Sequence, residues 1–307
     1  LDKSLSYSNR MLGPTLKIAL DESNSALYYS GYTLLGFDRS RTLSLSISQS
    51  FRETYSSISP WAAYNLIQED YFESIPQTRQ YGGAGPVSSV DLGVKFSNEE
   101  SSRIAITTER GHTSTFALRS YINAEPSQLL SKIFISDTQY YPAGSSVWVG
   151  SLAGSFATHY SKSYRSGNVV VRGRRDSNAA LSYDRRSTGL NELSVRGYPD
   201  ATYYVRSALL GSLDLRFPIK RIYRGSGTLP FFLNYIYGFG FGEMTYLPFK
   251  DFGTSALPSF GGGIGITSDI KPFIPLTLRL QYHRGLARSY SGKEELFFEA
   301  GVFGAAF

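Results

Sequence analysis

From Thr202 to Ile219 the chain alternates like one extended strand. Val205, Leu209, Leu213, Leu215 and Phe217 share one face, and Arg206, Ser212, Asp214 and Arg216 share the other. The same period of two recurs elsewhere. Leu43, Leu45, Ile47 and Phe51 oppose Ser44, Ser46, Ser48 and Ser50. Val90, Leu92, Val94 and Phe96 oppose Asp91, Gly93 and Lys95. Leu276, Leu278, Leu280 and Tyr282 oppose Thr277, Arg279, Gln281 and His283. Helical spacing is nearly absent. Side chains that alternate in this way belong to strands with two unlike faces.

A water-soluble sandwich also alternates, so other features have to decide. The segment Thr202–Ile219 far exceeds the ~5–6 residues of an ordinary soluble strand. Its polar face carries charge in mid-strand, as a wet or hydrogen-bonded lumen tolerates. Charged residues make up only 18%, yet mean hydropathy is −0.19 and no apolar run approaches the ~18 residues of a membrane helix. Aromatics reach 15%, with 23 Tyr and 20 Phe, and Tyr suits surfaces that are half wet and half apolar. A tilted strand of ~9–11 residues crosses a bilayer, and its backbone groups must all be paired there, so the sheet has to close on itself. The pattern predicts an all-β chain, a transmembrane antiparallel β-barrel that occupies residues 1–307 as a single domain.

Candidate strands fall near 3–11, 14–22, 26–36, 41–51, 57–67, 87–97, 102–122, 130–141, 145–160, 202–219, 229–243, 259–270, 273–285 and 295–307. That makes about fourteen, within a range of twelve to sixteen, and termini on one side of the membrane require an even number. Short connections are expected at Asp21–Ser25, Arg52–Ser57, Ser97–Ser102 and Tyr141–Ser145. Long ones are expected at Gln68–Pro86, Ser161–Ala201 and Met244–Pro258. Short turns facing the periplasm and long loops facing outward are the pattern of bacterial outer-membrane barrels. Ala26–Gly36 has no clean polar face, and in the last strand Glu299 shares parity with Phe297, Phe303 and Phe307.

Several chemistries have little to stand on. There is no Cys, which excludes disulfides, thiol nucleophiles and thiolate metal sites. Only His112, His159 and His283 could serve as bases or ligands, and none lies in a spaced ligand motif. No metal, cofactor or catalytic residue is expected. The run "GGGIGI" at Gly261–Ile266 lacks the Lys-Ser/Thr of a phosphate loop and reads as strand glycines that permit close approach. The net charge of +6 is spread along the chain, which argues against a nucleic-acid partner. The cluster "RGRRD" at Arg172–Asp176 suits a loop facing lipopolysaccharide phosphates. The chain opens Leu1-Asp2-Lys3 without Met or a leader, as a processed or trimmed polypeptide would.

The segment "SVRGY" at Ser194–Tyr198, followed by "GSLDLRFPI" at Gly211–Ile219, resembles the outer membrane protein 85 superfamily. These are the BamA-type assembly barrels and the two-partner secretion transporters. The likeness covers the C-terminal half well, where five candidate strands follow the motif and the chain closes on Phe307. It implies that residues 161–201 form a long extracellular loop folded into the lumen. On that alignment Val195, Arg196, Gly197 and Tyr198 form its tip, and Arg196 pairs with a lumen-facing acid, Asp214, on the next strand. The family's second acid would fall at Asn234, a departure that leaves one acidic partner. The periplasmic polypeptide-binding domains that the family carries ahead of its barrel do not fit in residues 1–13. Either they lie outside this polypeptide or this is a barrel-only member.

The resemblance implies an outer-membrane barrel that moves or inserts protein or lipid through a lateral seam, without bond chemistry. Its expected partners are outer-membrane lipids including lipopolysaccharide, a protein client, and in one arrangement further copies of itself. The alternatives are a passive or plugged structural pore, and a membrane anchor for a passenger enzyme outside this chain.

Overall fold

The computed structural model describes residues 3–9, 13–29, 33–73, 86–101, 107–122, 130–159, 168–174, 192–198, 202–225, 231–249, 253–270, 274–287, 292 and 294–302. Within them the chain is built of strands and their connections. β1 (Lys3–Asn9), β2 (Thr15–Tyr29), β3 (Thr33–Ser48), β4 (Phe51–Arg52), β5 (Ser57–Glu73), β6 (Val87–Ser97), β7 (Gly111–Ile122), β8 (Leu130–Ala143) and β9 (Ser146–Ala157) come first. Three short strands follow: β10 (Val169–Arg174), β11 (Glu192–Arg196) and β12 (Thr202–Val205). The last five are β13 (Ser207–Gly225), β14 (Phe231–Phe249), β15 (Gly253–Ile270), β16 (Ile274–Gly285) and β17 (Glu294–Val302).

One large sheet runs in the order β1-β2-β3-β5-β6-β7-β8-β9-β13-β14-β15-β16-β17, and β4 pairs with β5 just past the end of β3. All pairs are antiparallel, and strands that neighbour in the sheet are joined directly or by hairpins except β9 and β13. Between those two, β10–β12 form a separate sheet in the order β11-β10-β12, parallel on one side and antiparallel on the other. This small sheet touches β2, β9, β13, β14, β15 and β16, so the large sheet curls round it.

The faces are inverted relative to a water-soluble protein. Outward lie Leu16, Ile18, Leu20, Leu43, Leu45, Ile47, Val90, Leu92, Leu209, Leu213 and Ile264, each more than a third exposed. Inward and buried lie Ser44, Asn65, Asp91, Arg119, Asp214, Arg216, Glu243, Gln281 and His283. An apolar outer band around a polar interior is the arrangement of a barrel in lipid. Much of the inner polar face is paired: Arg119 donates to both oxygens of Asp91 at 2.6 and 2.5 Å, and Asn65 links Ser44, Ser89 and Asp91.

The structure redraws several expected elements. Thr202–Ile219 is not one strand: β12 joins the small sheet and β13 begins at Ser207, so Val205 is buried inside while Leu209 and Leu213 face outward. β2 runs without a break through Asp21–Ser25, and the first hairpin turns only after Tyr29. Three expected segments, 14–22, 26–36 and 41–51, therefore make two strands, and Ala26–Gly36 straddles their hairpin. Register Asp21↔Thr42 and Ser25↔Asp38 is continuous, so ladder pairing carries the polar run Asp-Glu-Ser-Asn-Ser that local turn chemistry would bend. Met244–Pro258 is likewise not a loop. β14 and β15 pair up to Phe249↔Gly253 as a long hairpin. The main path thus has thirteen strands among the described residues, and β1 and β17 run in the same direction. Phe307 and loop residues 175–191, including Arg175 and Asp176 of the basic cluster, lie outside the described residues.

Candidate functional site

Connections in the described sheet fall at two ends. The turns 49–56, 98–110 and 144–145 mark one end, and the segment 158–206 leaves from the other. Its described residues 168–174 and 192–198 lie in the interior. Val169, Val171, Leu193, Val195, Tyr198 and Val205 are buried in one cluster with wall residues Ala117, Phe134, Ala208, Leu210, Leu247 and Leu257. The burial explains why a polar connection carries the apolar runs Val169-Val170-Val171 and Leu193-Ser194-Val195. At its start, the buried Lys132 of β8 donates from Nζ to the Asn168 carbonyl at 2.6 Å.

At its far end Arg196 is 2% exposed and surrounded by two acids. Its Nη2 donates to Asp214 Oδ1 at 3.0 Å and its Nη1 to Oδ2 at 3.4 Å. Its Nε donates to Glu243 Oε2 at 3.0 Å, and its backbone N–H donates to Glu243 Oε1 at 3.0 Å. One residue therefore binds two carboxylates on two adjacent strands. Both acids face inward because β13 and β14 are in register, Ser212↔Glu243 and Asp214↔Phe241. Burial works against the Arg196 charge, but Glu243 and Asp214 outweigh it and raise its pKa.

The guanidinium also lies over the Phe241 ring, with Cζ 3.6 Å from its centroid. Phe241 can lie there because β15 has Gly261 beneath it. A Cβ at Gly261 would come within 2.7 Å of the ring and 2.2 Å of the Tyr282 carbonyl. His283 meets Phe241 edge-on with centroids 5.1 Å apart.

Gly197 makes the turn at the tip with φ +78°, and a Cβ there would fall 2.7 Å from the Gly285 nitrogen. Both constraints require glycine. Tyr198 is fully buried. Its hydroxyl donates to the Pro258 carbonyl at 2.6 Å and accepts from the Ala287 N–H at 3.2 Å. Burial pushes its phenol up from the usual range.

Val195, Arg196, Gly197, Tyr198 and Asp214 therefore come together, while Asn234 does not join them. Asn234 is the extra residue of a β-bulge between Leu233 and Tyr235, and it donates to Asp269 Oδ2 at 3.0 Å. The second acid is Glu243, nine residues further along β14. Its signal was present: Phe239, Phe241, Glu243 and Thr245 share one parity, and Glu243 stands beside Ser212 once β14 is extended to Phe249. Phe241 was also missed, because a ring stacked across strands leaves no mark in its own segment; Gly261 stands in the sequence only as one of several strand glycines that permit close approach, with no ring assigned to it. Among the described residues no group of His, Asp and Glu is arranged to hold a metal.

No family model matches the chain, and no curated protein matches it. Among solved structures, CdiB from Escherichia coli shares the fold with a TM-score of 0.64 and 10% sequence identity. The match covers 98% of this chain and 52% of that one, so this chain spans about half the length of the structure it resembles.

Proposed function

We propose that this chain is barrel sequence from a bacterial outer-membrane protein that passes or inserts a polypeptide without making or breaking covalent bonds. The observation that carries this reading is Arg196, held by Asp214 and Glu243 at the tip of a connection whose described apolar residues are buried against the wall. The resemblance to assembly and secretion barrels implied one pair, Arg196 with Asp214; the second pair with Glu243 strengthens that reading, and the fold shared with CdiB supports it. A buried charge is tolerated only where it is paired and hydrogen-bonded, so the pairs fix the connection inside the lumen. A locked connection braces the wall and obstructs the path, and its release changes both at once.

In this reading the end with turns 49–56, 98–110 and 144–145 faces the periplasm, and residues 158–206 return from the outer side. The outward residues face outer-membrane lipid, with lipopolysaccharide at the outer rim. The lateral seam implied by the resemblance lies between β1 and β17, the two ends of the strand order. A polypeptide client is the partner, and self-association is secondary.

Site-specific photocrosslinking in intact outer membranes tests this. A photoreactive residue at Thr277, which is buried inside, should capture polypeptide, whereas one at Leu213 on the lipid face should capture lipid. Steady ion conduction with no polypeptide adduct at Thr277 would favour a passive pore instead.

A further inference from the structure

On the turn side of the Arg196 pairs lies a cavity of about 280 Å³, close to the lower end of the ~300–1,000 Å³ range of ligand sites. It extends from Asp214 down to Tyr235, Thr267 and Thr277, near the β15–β16 connection. Among the described residues, three guanidinium groups line it, from Arg196, Arg216 and Arg279, against the single carboxylate of Asp214. Both oxygens of that carboxylate are already engaged by Arg196.

Arg216 is the unusual member. It is 5% exposed, and its fork is half filled. Nη1 donates to Thr107 Oγ1 at 2.5 Å. Nη2 has no hydrogen-bond partner among the described residues, and its nearest carboxylate oxygen, Asp214 Oδ2, is 3.8 Å away. A buried guanidinium with one prong on a neutral hydroxyl and the other in a long ion pair without a hydrogen bond is poorly satisfied. The group that completes such a fork is a planar carboxylate, accepting from both nitrogens. Tyr235, Tyr237 and Phe239 add ring surface, with Tyr235 and Tyr237 edge to face at 5.9 Å.

We infer that this cavity binds a carboxylate-bearing segment of a polypeptide, with Arg216 as its anchor and Thr107 as the placeholder that turns aside. The inference rests on the polypeptide-passing reading above and specifies which segment the lumen holds first: an acidic side chain flanked by apolar or aromatic ones. A ligand entering from the turn end reaches Arg216 before it reaches the Arg196 pairs.

The test is fluorescence anisotropy of dansyl-Phe-Glu-Phe-amide and dansyl-Phe-Gln-Phe-amide with the full chain in detergent micelles. The Glu peptide should bind at least about tenfold more tightly, as expected for one charge-assisted fork. Arg216→Gln should abolish the difference, and Thr107→Ala should leave binding of the Glu peptide as tight or tighter. Equal affinity for the two peptides, retention of the difference in Arg216→Gln, or weaker binding in Thr107→Ala would overturn the inference. Displacement by inorganic phosphate at equal concentration would also overturn it, by marking the site as one for any small anion. If Arg216→Gln does not fold, the two peptides on the unaltered protein decide. Heat stability of the Arg196 variants, measured on the same preparations, reports on the lock separately, so the two ideas can fail independently.

Discussion

Arg196 meets Glu243 twice, through its backbone N–H and through Nε, both at 3.0 Å. Loss of the side chain leaves two carboxylates buried with no shared cation. Removing one partner of a buried pair costs about 3–5 kcal/mol, so Arg196→Ala should lower the temperature at which the folded form disappears on a semi-native gel. Arg196→Lys should recover only part of the loss, because an ammonium cannot fork onto Asp214 while also reaching Glu243. Full recovery by Lys would show that charge alone holds the tip.

Asn234→Asp should not strengthen the tip. Asn234 donates to Asp269 at 3.0 Å, so the substitution sets two carboxylates against each other at the far end of β14 and removes a donor. A modest loss of heat stability is expected, with unchanged protease resistance of the 158–206 segment. A gain in that resistance would place Asn234 within reach of Arg196 after all.

Gly261→Ala tests the support under the lock. The added methyl would lie 2.2 Å from the Tyr282 carbonyl and 2.7 Å from the Phe241 ring. Something must shift, at a cost of about 1–3 kcal/mol, and Phe241 moves into the space that Arg196 occupies. Larger or more frequent openings in planar bilayers are expected. Unchanged conductance together with unchanged stability would show that Phe241 does not position Arg196.

Leu213→Lys tests which face meets lipid. Leu213 is 52% exposed on the outer face, and a lysine on the lipid face of a barrel costs about 2–4 kcal/mol near the bilayer centre. Folding into lipid vesicles should be impaired, whereas Leu213→Phe should fold normally. Equal folding of both variants would contradict the assignment of faces.

Much of this architecture was legible in the chain because alternation reports directly on a wall with lipid on one side. Leu43, Leu45 and Ile47 against Ser44 and Ser46 fix the face of β3 without any tertiary knowledge. Boundaries were harder to read where polar strands run beyond the apolar band. There Asp21–Ser25 and Met244–Pro258 carry the composition of turns, yet pair as ladders. The site was half legible. The tip residues and Asp214 form short local patterns, but Glu243 depends on the register of β14 against β13, and a bulge at Asn234 hides that register from any fixed spacing.

Arg196 and Glu243 act as one unit at the tip of the connection. A double-mutant cycle tests it most directly, with Arg196→Ala, Glu243→Ala and the double variant compared by reversible urea unfolding in lipid vesicles. Residues in direct contact typically couple by about 0.5–3 kcal/mol; the cycle reads the buried Nε–Oε2 contact, because Arg196→Ala keeps the backbone N–H that also donates to Glu243. The double variant should be destabilised by much less than the sum of the two single variants. Losses that add to within about 0.5 kcal/mol would mean that the two side chains do not hold each other, and the lock would not exist.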